Sequence, residues 1–251
     1  MNMTLSRFYC PGEMSPGQVV ALPANAAHHA ARVLRLTAGD EVMVFNGTGG
    51  EFSARIAEVR KHHVSVAIDQ HHEIERETVL NITLVQSLCA NEKMDFVVQK
   101  AVELGVRQIQ PVSSQRSLVK LSGERAQKRM AHWQQIAVAA CEQCGRNRLP
   151  PVLPLLTLAE WLSLAKNSPD KNARRFLLSP DAQLSLRDLP TPPANASITL
   201  LIGPEGGFAA EEESLAQTAG LMPLRLGPRI LRVEGAAIAA LGAIYGAWGE
   251  F

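Results

Sequence analysis

The chain has 251 residues, 46% of them hydrophobic and 20% charged, with a formal net charge of +1. That balance excludes a disordered polyelectrolyte and predicts a packed core, in one large domain or a medium domain with a small companion. No apolar run reaches the roughly 20 residues that a membrane span needs. The start, "MNMTLSRFYCPGEM", lacks the charged-then-apolar pattern of a signal peptide, so a cytoplasmic protein is expected. Four cysteines, Cys10, Cys89, Cys141 and Cys144, are too few and too scattered for a disulfide framework. The isolated Cys141-x-x-Cys144 pair reads as two positions one helical turn apart, one facing inward, and it supplies only half a zinc site.

Residues 1–75 carry short alternating runs divided by turn signals. "EVMVFNG" and "EFSARIAEV" flank the Gly-rich "NGTGG", which predicts a hairpin, and "HHVSVAI" follows as a further strand. Several short strands in so few residues predict a small β-barrel or sandwich. The polar stretch "QHHEIERETV" is expected to link it to a second domain, residues 76–251. There strands alternate with helices. "LNITLVQSL" is a strand, and "NEKMDFVVQKAVELG" a helix with Met94, Val97, Val98, Ala101 and Val102 along one stripe and Gly105 at its end. "RQIQPV" is the next strand, and a long helix runs from Ser122 to Cys144 until Gly145 stops it. Thr157 and Glu160 form a capping box for a short helix. "RRFLLS", "SITLLIG" and "PLRLG" are buried strands, and "AAEEESLAQTAG" is a helix whose three glutamates suit its N-terminal dipole. The pattern is α/β, a mainly parallel sheet covered by helices. The last helix, "EGAAIAALGAIYGAWG", has Gly242 and Gly246 four apart, which predicts a close approach by a sheet or by a second subunit.

In "LLIGPEGG", Leu200 to Gly207, an aliphatic run stops in three glycines, a proline and a lone glutamate. Gly203, Gly206 and Gly207 allow a sharp turn and a close backbone approach, and Pro204 stiffens it. The loop matches neither G-x-G-x-x-G nor G-x-x-x-x-G-K-[ST], so a phosphate cradle of a dinucleotide or P-loop enzyme is not indicated. A tight strand-to-helix turn and a ligand loop both remain open from this stretch alone. "LRLGPRILRVEGAA", Leu224 to Ala237, repeats the device and sets Arg229, Arg232 and Glu234 around Ile230 and Leu231. Charges between aliphatics at a strand end need partners. Two such loops side by side at one sheet edge read as a ligand site.

Between Lys93 and Arg148 ten cations face four acids, an excess the near-zero net charge hides. It reads as phosphate-binding or, for Arg125, Lys128 and Arg129, as a solvated helix face. The histidines come as neighbours, His28-His29, His62-His63 and His71-His72. Strand neighbours point to opposite faces, so no pair chelates one metal and no metal site is expected.

"LLIGPEGGF" with "LGPRILRVEGAA" resembles the cofactor motifs of the SPOUT methyltransferases, and within them the bacterial 16S ribosomal RNA uridine-N3 methyltransferases. "RFY", "EKMDFVVQKAVELGV" and "ACEQCGRNRLP" agree, so the resemblance spans nearly the whole chain. One departure is Gly235, where the family usually has Thr; losing that hydroxyl weakens a helix cap or a cofactor contact. The resemblance implies a PUA-like β-barrel for RNA, a carboxyl-terminal SPOUT domain with a trefoil knot, and a homodimer. It implies S-adenosylmethionine as cofactor, held by Leu178, Leu201, Ile202, Gly203, Pro204, Glu205, Gly206, Leu226, Gly227, Ile230, Leu231, Arg232, Glu234 and Ala236. The leucines and Ile230 are equally readable as core, and Glu234 as a structural partner of an arginine or of the last helix. RNA contacts fall on Arg7, Arg32, Arg35, Lys93, Arg116, Arg146 and Arg148, and the partner is 16S ribosomal RNA in the small ribosomal subunit. Methylating N3 requires an imide proton to leave, and an arginine at O2 or O4 would stabilise the anion; Arg7, Arg116 and Arg232 are the catalytic candidates. No general base stands out. A non-catalytic RNA-binding assembly factor of the same fold is the alternative function.

Overall fold

A computed structural model describes residues 5–61, 63–167 and 173–248; His62 of the second histidine pair lies outside them. The chain divides into two compact units. One is Met1–Glu77 with Val138–Leu149, the other Thr78–Ala137 with Pro150–Phe251.

In the first unit β1 (Ser6–Tyr9), β2 (Val19–Ala21), β3 (Glu41–Phe45), β4 (Glu51–Arg60) and β5 (His63–His72) form one sheet in the order β1-β3-β4-β5-β2. Only β1 and β3 pair in parallel. Alternation decides which side chains go inward: Val42 and Val44, Ala54 and Ile56, Val64, Val66 and Ile68 meet Phe8 in one core. The short helix α1 (Ala24–His28) and the π-helical turn after it add Ala26, Ala27 and Ala30. The "NGTGG" turn is a hairpin connection as expected, with Gly47, Gly49 and Gly50 at positive φ. Two expectations are corrected. His71 and His72 belong to β5 rather than to a linker, because they continue the ladder with β4 and the His71 ring packs 4.6 Å from Phe52. His28 and His29 are helical, so the strand argument does not govern them.

The segment Val138–Leu149 completes this unit through charge, a feature that sequence reading missed. Arg146 pairs with Glu77 at 2.6 Å, with side chains only 4% and 7% exposed. Arg148 pairs with Glu75 at 3.2 Å, and the Asn147 amide donates to the Ile74 carbonyl at 2.6 Å. Arg76 donates to the Gly145 carbonyl at 2.9 Å and to Glu51 at 3.1 Å. Glu51 also takes Arg7, whose second nitrogen donates to the Asn147 side chain at 2.6 Å. "ERE" and "GRNR" thus interlock residue by residue. Burial alone would raise the Glu51 carboxyl, but Arg76 and Arg7 together hold it below the ordinary carboxylate value.

The second unit is a six-stranded parallel sheet in the order β11-β9-β10-β6-β7-β8. Its strands are β6 (Asn81–Ser87), β7 (Gln108–Ser113), β8 (Leu156–Thr157), β9 (Arg174–Leu178), β10 (Ser197–Ile202) and β11 (Met222–Leu224). Both faces are apolar, as a parallel sheet between helices requires. Val85, Val112, Leu177 and Leu201 point toward Leu158 and Leu162 of α4 (Leu158–Lys166) and Ala216 of α5 (Ala210–Thr218). On the other face Phe176 meets Trp248 of α6 (Val233–Trp248), ring centroids 6.3 Å apart, and α6 packs on α2 (Asn91–Glu103). The expected stripe of α2, Met94 through Val102, is fully buried, and Gly105 sits at φ +88° beyond it. The Thr157–Glu160 capping box is present. α3 (Gly123–Cys144) ends at Gly145, with Cys141 buried and Cys144 half-buried. "PLRLG" gives only the three-residue β11. A Cβ at Gly242 or Gly246 would meet nothing within 4 Å, so no described residue makes the predicted close approach there.

Candidate active site

The carboxyl ends of three neighbouring strands, β11, β9 and β10, face one cleft of about 170 Å³. In an open parallel sheet the loops beyond these ends are where ligands sit. β9 lies between the two strands expected to be adjacent, so a third loop enters the site: Leu178, Ser179 and Pro180 line the cleft. Leu178 was expected from the resemblance, but Ser179 and Pro180 were missed because "RRFLLSP" carries no glycine.

The loop after β10 is held at several points. Gly207 at φ +67° closes a turn, its N–H donating to the Pro204 carbonyl at 2.9 Å. A Cβ on Gly203 would come within 3.2 Å of the Phe208 ring, and one on Gly206 within 3.3 Å of Arg116 Cβ. Gln86, fully buried at the end of β6, donates to the Ser87 carbonyl at 3.0 Å and reaches the Gly203 carbonyl at 3.5 Å. The lone glutamate has a defined role. Glu205 accepts the Ala90 N–H at 3.0 Å and Lys93 Nζ at 3.1 Å, tying the loop to the start of α2. Burial alone would raise its carboxyl, but these donors hold it below the ordinary value. Burial pushes the Cys89 thiol up to about 12, aided by the charge of Glu205, so this thiol stays protonated and is no nucleophile.

The loops after β9 and β11 interlock. Ser179 N–H donates to the Leu224 carbonyl at 3.1 Å, and Arg225 N–H to the Leu184 carbonyl at 2.9 Å. Gly227, at φ +114°, turns the chain toward α6, whose first residues Val233 and Ala236 close the cleft. Ile230 is 85% exposed at the rim and Leu231 38%.

Of the expected cofactor residues, Leu178, Ile202, Gly203, Pro204, Glu205, Leu226, Gly227, Ile230, Leu231 and Ala236 line the cleft. Leu201 instead lies in the core beneath, and Gly206 is set behind the loop against Arg116. Arg232 is exposed and accepts the Ala236 N–H on its carbonyl at 2.7 Å, in the capping position of α6; Glu234, half-buried in the first turn, does not line the cleft. Phe208, Glu213, Leu224, Arg229 and Val233 line it and were not expected. Glu213 has its carboxyl raised by burial and by the charge of Asp181. Gly235 is open, since a Cβ there meets nothing within 4 Å.

The arginines separate into two kinds. Arg7 and Arg146, expected at RNA or at the reacting atoms, are buried in the ion pairs with Glu51 and Glu77 and are not presented to a phosphate. The burial of their carboxylate partners holds both cations inside. Arg148, half-exposed, is paired with Glu75, and Lys93 with Glu205. Arg32, Arg35 and Arg116 are exposed; Arg116 Nη1 donates to the Gly206 carbonyl at 3.1 Å and so leaves other N–H groups to a ligand. Among the described residues no group of three or more His, Cys, Asp or Glu is arranged for a metal. No helix of the described residues is long and apolar enough to cross a membrane.

Residues 76–245 match the family profile of an RNA methyltransferase domain, and residues 22–69 that of an RNA methyltransferase PUA domain. The chain belongs to this RNA methyltransferase family. Similar to it is the ribosomal RNA small subunit methyltransferase E of Buchnera aphidicola, 33% identical over 100% of this chain and 99% of that one. The protein of the same name from Bacillus subtilis is 30% identical over 89% and 88%. The methyltransferase E of Neisseria gonorrhoeae, crystallised with S-adenosylmethionine, is 40% identical with a TM-score of 0.89, covering 99% of this RNA methyltransferase and 100% of that chain. A Legionella pneumophila methyltransferase in complex with the same cofactor is 39% identical with a TM-score of 0.91, over 98% of each. The cleft of this family member fits that group. It is an apolar slot edged by backbone amides and carbonyls of three loops, suited to a flat heterocycle with mixed hydrogen-bonding edges.

Proposed function

We propose that this chain transfers a methyl group from S-adenosylmethionine to N3 of a uridine in 16S ribosomal RNA, on the assembled small subunit. The observation that carries the reading is the three-loop cleft at the ends of β9, β10 and β11, in a chain whose family is the RNA methyltransferases. Leu178, Ile202, Leu226, Ile230 and Leu231 would sandwich the adenine, and the backbone of Gly203 and Gly227 would meet its edges. Bound there, the cofactor supplies an electrophilic methyl group.

The residues of the chain then align and exclude. The rim side chain Ile230 keeps water from the bound group. Arg116, exposed beside Gly206, and Arg232, at the head of α6, would stabilise charge on O2 or O4 of the uridine as N3 loses its proton. Arg7 is left out of this role, since its guanidinium already serves Glu51 and Asn147. The target base must leave its stack to reach the cleft.

On the first unit Arg32, Arg35 and half-exposed Arg148 would meet RNA, and on the second Arg116 and Lys93 would. Closure of the first sheet into a PUA-like β-barrel, a trefoil knot in the second unit, a cytoplasmic location and a homodimer complete it. The open face of α6 at Gly242 and Gly246 is where a second copy would pack.

The test is transfer of labelled methyl to small subunits lacking their modifications and, in parallel, to naked 16S RNA, with mass spectrometry of the nucleosides. 3-Methyluridine on subunits is expected, with RNA affinity falling steeply as salt rises. No label on either substrate, together with no saturable cofactor binding, would leave a non-catalytic RNA-binding factor.

A further inference from the structure

The loop Ser114–Ser122, between β7 and α3, carries Arg116 and is anchored to the segment after β10 at two points. One is the bond from Arg116 to the Gly206 carbonyl. The other is Glu212. This side chain is only 6% exposed, yet no described salt bridge includes it. Its Oε2 accepts the Ala209 N–H at 3.0 Å, and its Oε1 accepts the Gln115 N–H at 2.8 Å. The first bond is half of a capping box; Ala209 has no side-chain oxygen to return the other half. A carboxylate serving only its own helix needs one oxygen. The second oxygen spans to a loop 97 residues away in sequence. It meets the residue immediately before Arg116.

The loop is also closed on itself. Ser114 N–H donates to Ser117 Oγ at 3.1 Å, the two hydroxyls lie 2.9 Å apart, and Lys120 Nζ reaches the Ser114 and Gln115 carbonyls at 3.4 Å each. Such a loop moves as one piece, so the backbone bond at Gln115 sets where Arg116 stands.

We propose that Glu212 is a positioning residue: it fixes the Arg116 loop to the segment that walls the cleft, and through it the arginine that meets the RNA. The inference rests on the cofactor reading of the cleft and on the RNA-facing role of Arg116. It adds that cleft wall and RNA-contacting loop are one mechanical unit.

The experiment compares the wild type with Glu212→Gln and with Glu212→Gln combined with Ala209→Ser. The second change supplies a hydroxyl cap to α5 but no acceptor for the Gln115 N–H. Each protein is measured for S-adenosylmethionine binding, for kcat on small subunits, and for amide hydrogen exchange across residues 114–117. In Glu212→Gln the cofactor binds within about threefold of wild type, kcat falls roughly 10- to 100-fold, and the 114–117 amides lose protection. The double variant regains thermal stability but neither kcat nor protection. Recovery of kcat by Ala209→Ser would reduce Glu212 to a helix cap and overturn the proposal. Unchanged protection in Glu212→Gln, or a loss of cofactor binding as large as the loss of kcat, would do the same. A wild type that binds no S-adenosylmethionine would sink the cofactor reading instead, and the exchange data would still decide whether Glu212 pins the loop.

Discussion

Two arginines of the first unit and three of the second occupy opposite environments. In the first unit Arg7 and Arg146 are buried against Glu51 and Glu77. In the second, Arg116, Arg229 and Arg232 stand exposed, Arg229 in the lining of the cleft. Cations of the first kind hold chain segments together by compensating a buried carboxylate. Cations of the second kind add little to stability and remain free to meet a ligand. Residue type marks a position as important; burial of the partner says for what.

The comparison is broken most severely by Arg146→Met, which leaves the Glu77 carboxylate buried without its cation. Denaturant unfolding is expected to show a loss of about 3–5 kcal/mol. Arg148→Ala, two residues on and half-exposed, is expected to cost no more than about 1 kcal/mol in the same measurement. Equal losses would erase the distinction. Gly203→Val probes the other side. A branched side chain cannot stand 3.2 Å from the Phe208 ring without filling the cleft, and calorimetry should show S-adenosylmethionine binding weakened by at least about tenfold, near 1.4 kcal/mol, with the melting temperature little changed.

Acid probes the first unit as well. The Glu51 carboxyl is held below its ordinary value in the folded state. Its contribution is therefore complete above the unfolded value near 4.3, by model-peptide standards of about that size, and is lost as pH falls through the folded value. Hydrogen exchange on descending from pH 6 to pH 3 should expose β4 amides of the first unit, and Glu51→Gln should flatten that dependence. The smallest effect is Gly235→Ala. The position is open and helical, so the change should stabilise by about 0.5–1 kcal/mol while leaving the cleft intact.

Local patterns were legible. The Met94–Val102 stripe, the Thr157–Glu160 box and the glycine stops at Gly105 and Gly145 are set within a few residues, and each stands where sequence placed it. Strand-to-glycine junctions marked two of the cleft loops, and ten of the cleft residues are among those that the family resemblance implied. Strand order was not. Nothing near Leu178 indicates that β9 separates β10 from β11, because that choice is made by packing across the whole sheet. Nor does an isolated "ERE" announce that "GRNR" will pair with it, for complementary charge specifies a partner only once the chain has brought both together. Glu212 went unread for a related reason: in "AAEEES" it looks like its neighbours, and only burial separates it from Glu211.

The divided first unit imposes an order on synthesis. Residues 1–77 leave the ribosome well before Val138–Leu149 exist. At about 5–20 residues per second the wait is roughly 4–14 s, long compared with the formation of a hairpin. Through that interval the β3–β4–β5 sheet can form, but Glu75 and Glu77 have no Arg148 or Arg146 to meet. The amino-terminal unit is therefore the first to begin but cannot finish until residue 149 has been made. Its completion becomes a checkpoint that a ribosome stalled before residue 149 would never let the nascent chain pass.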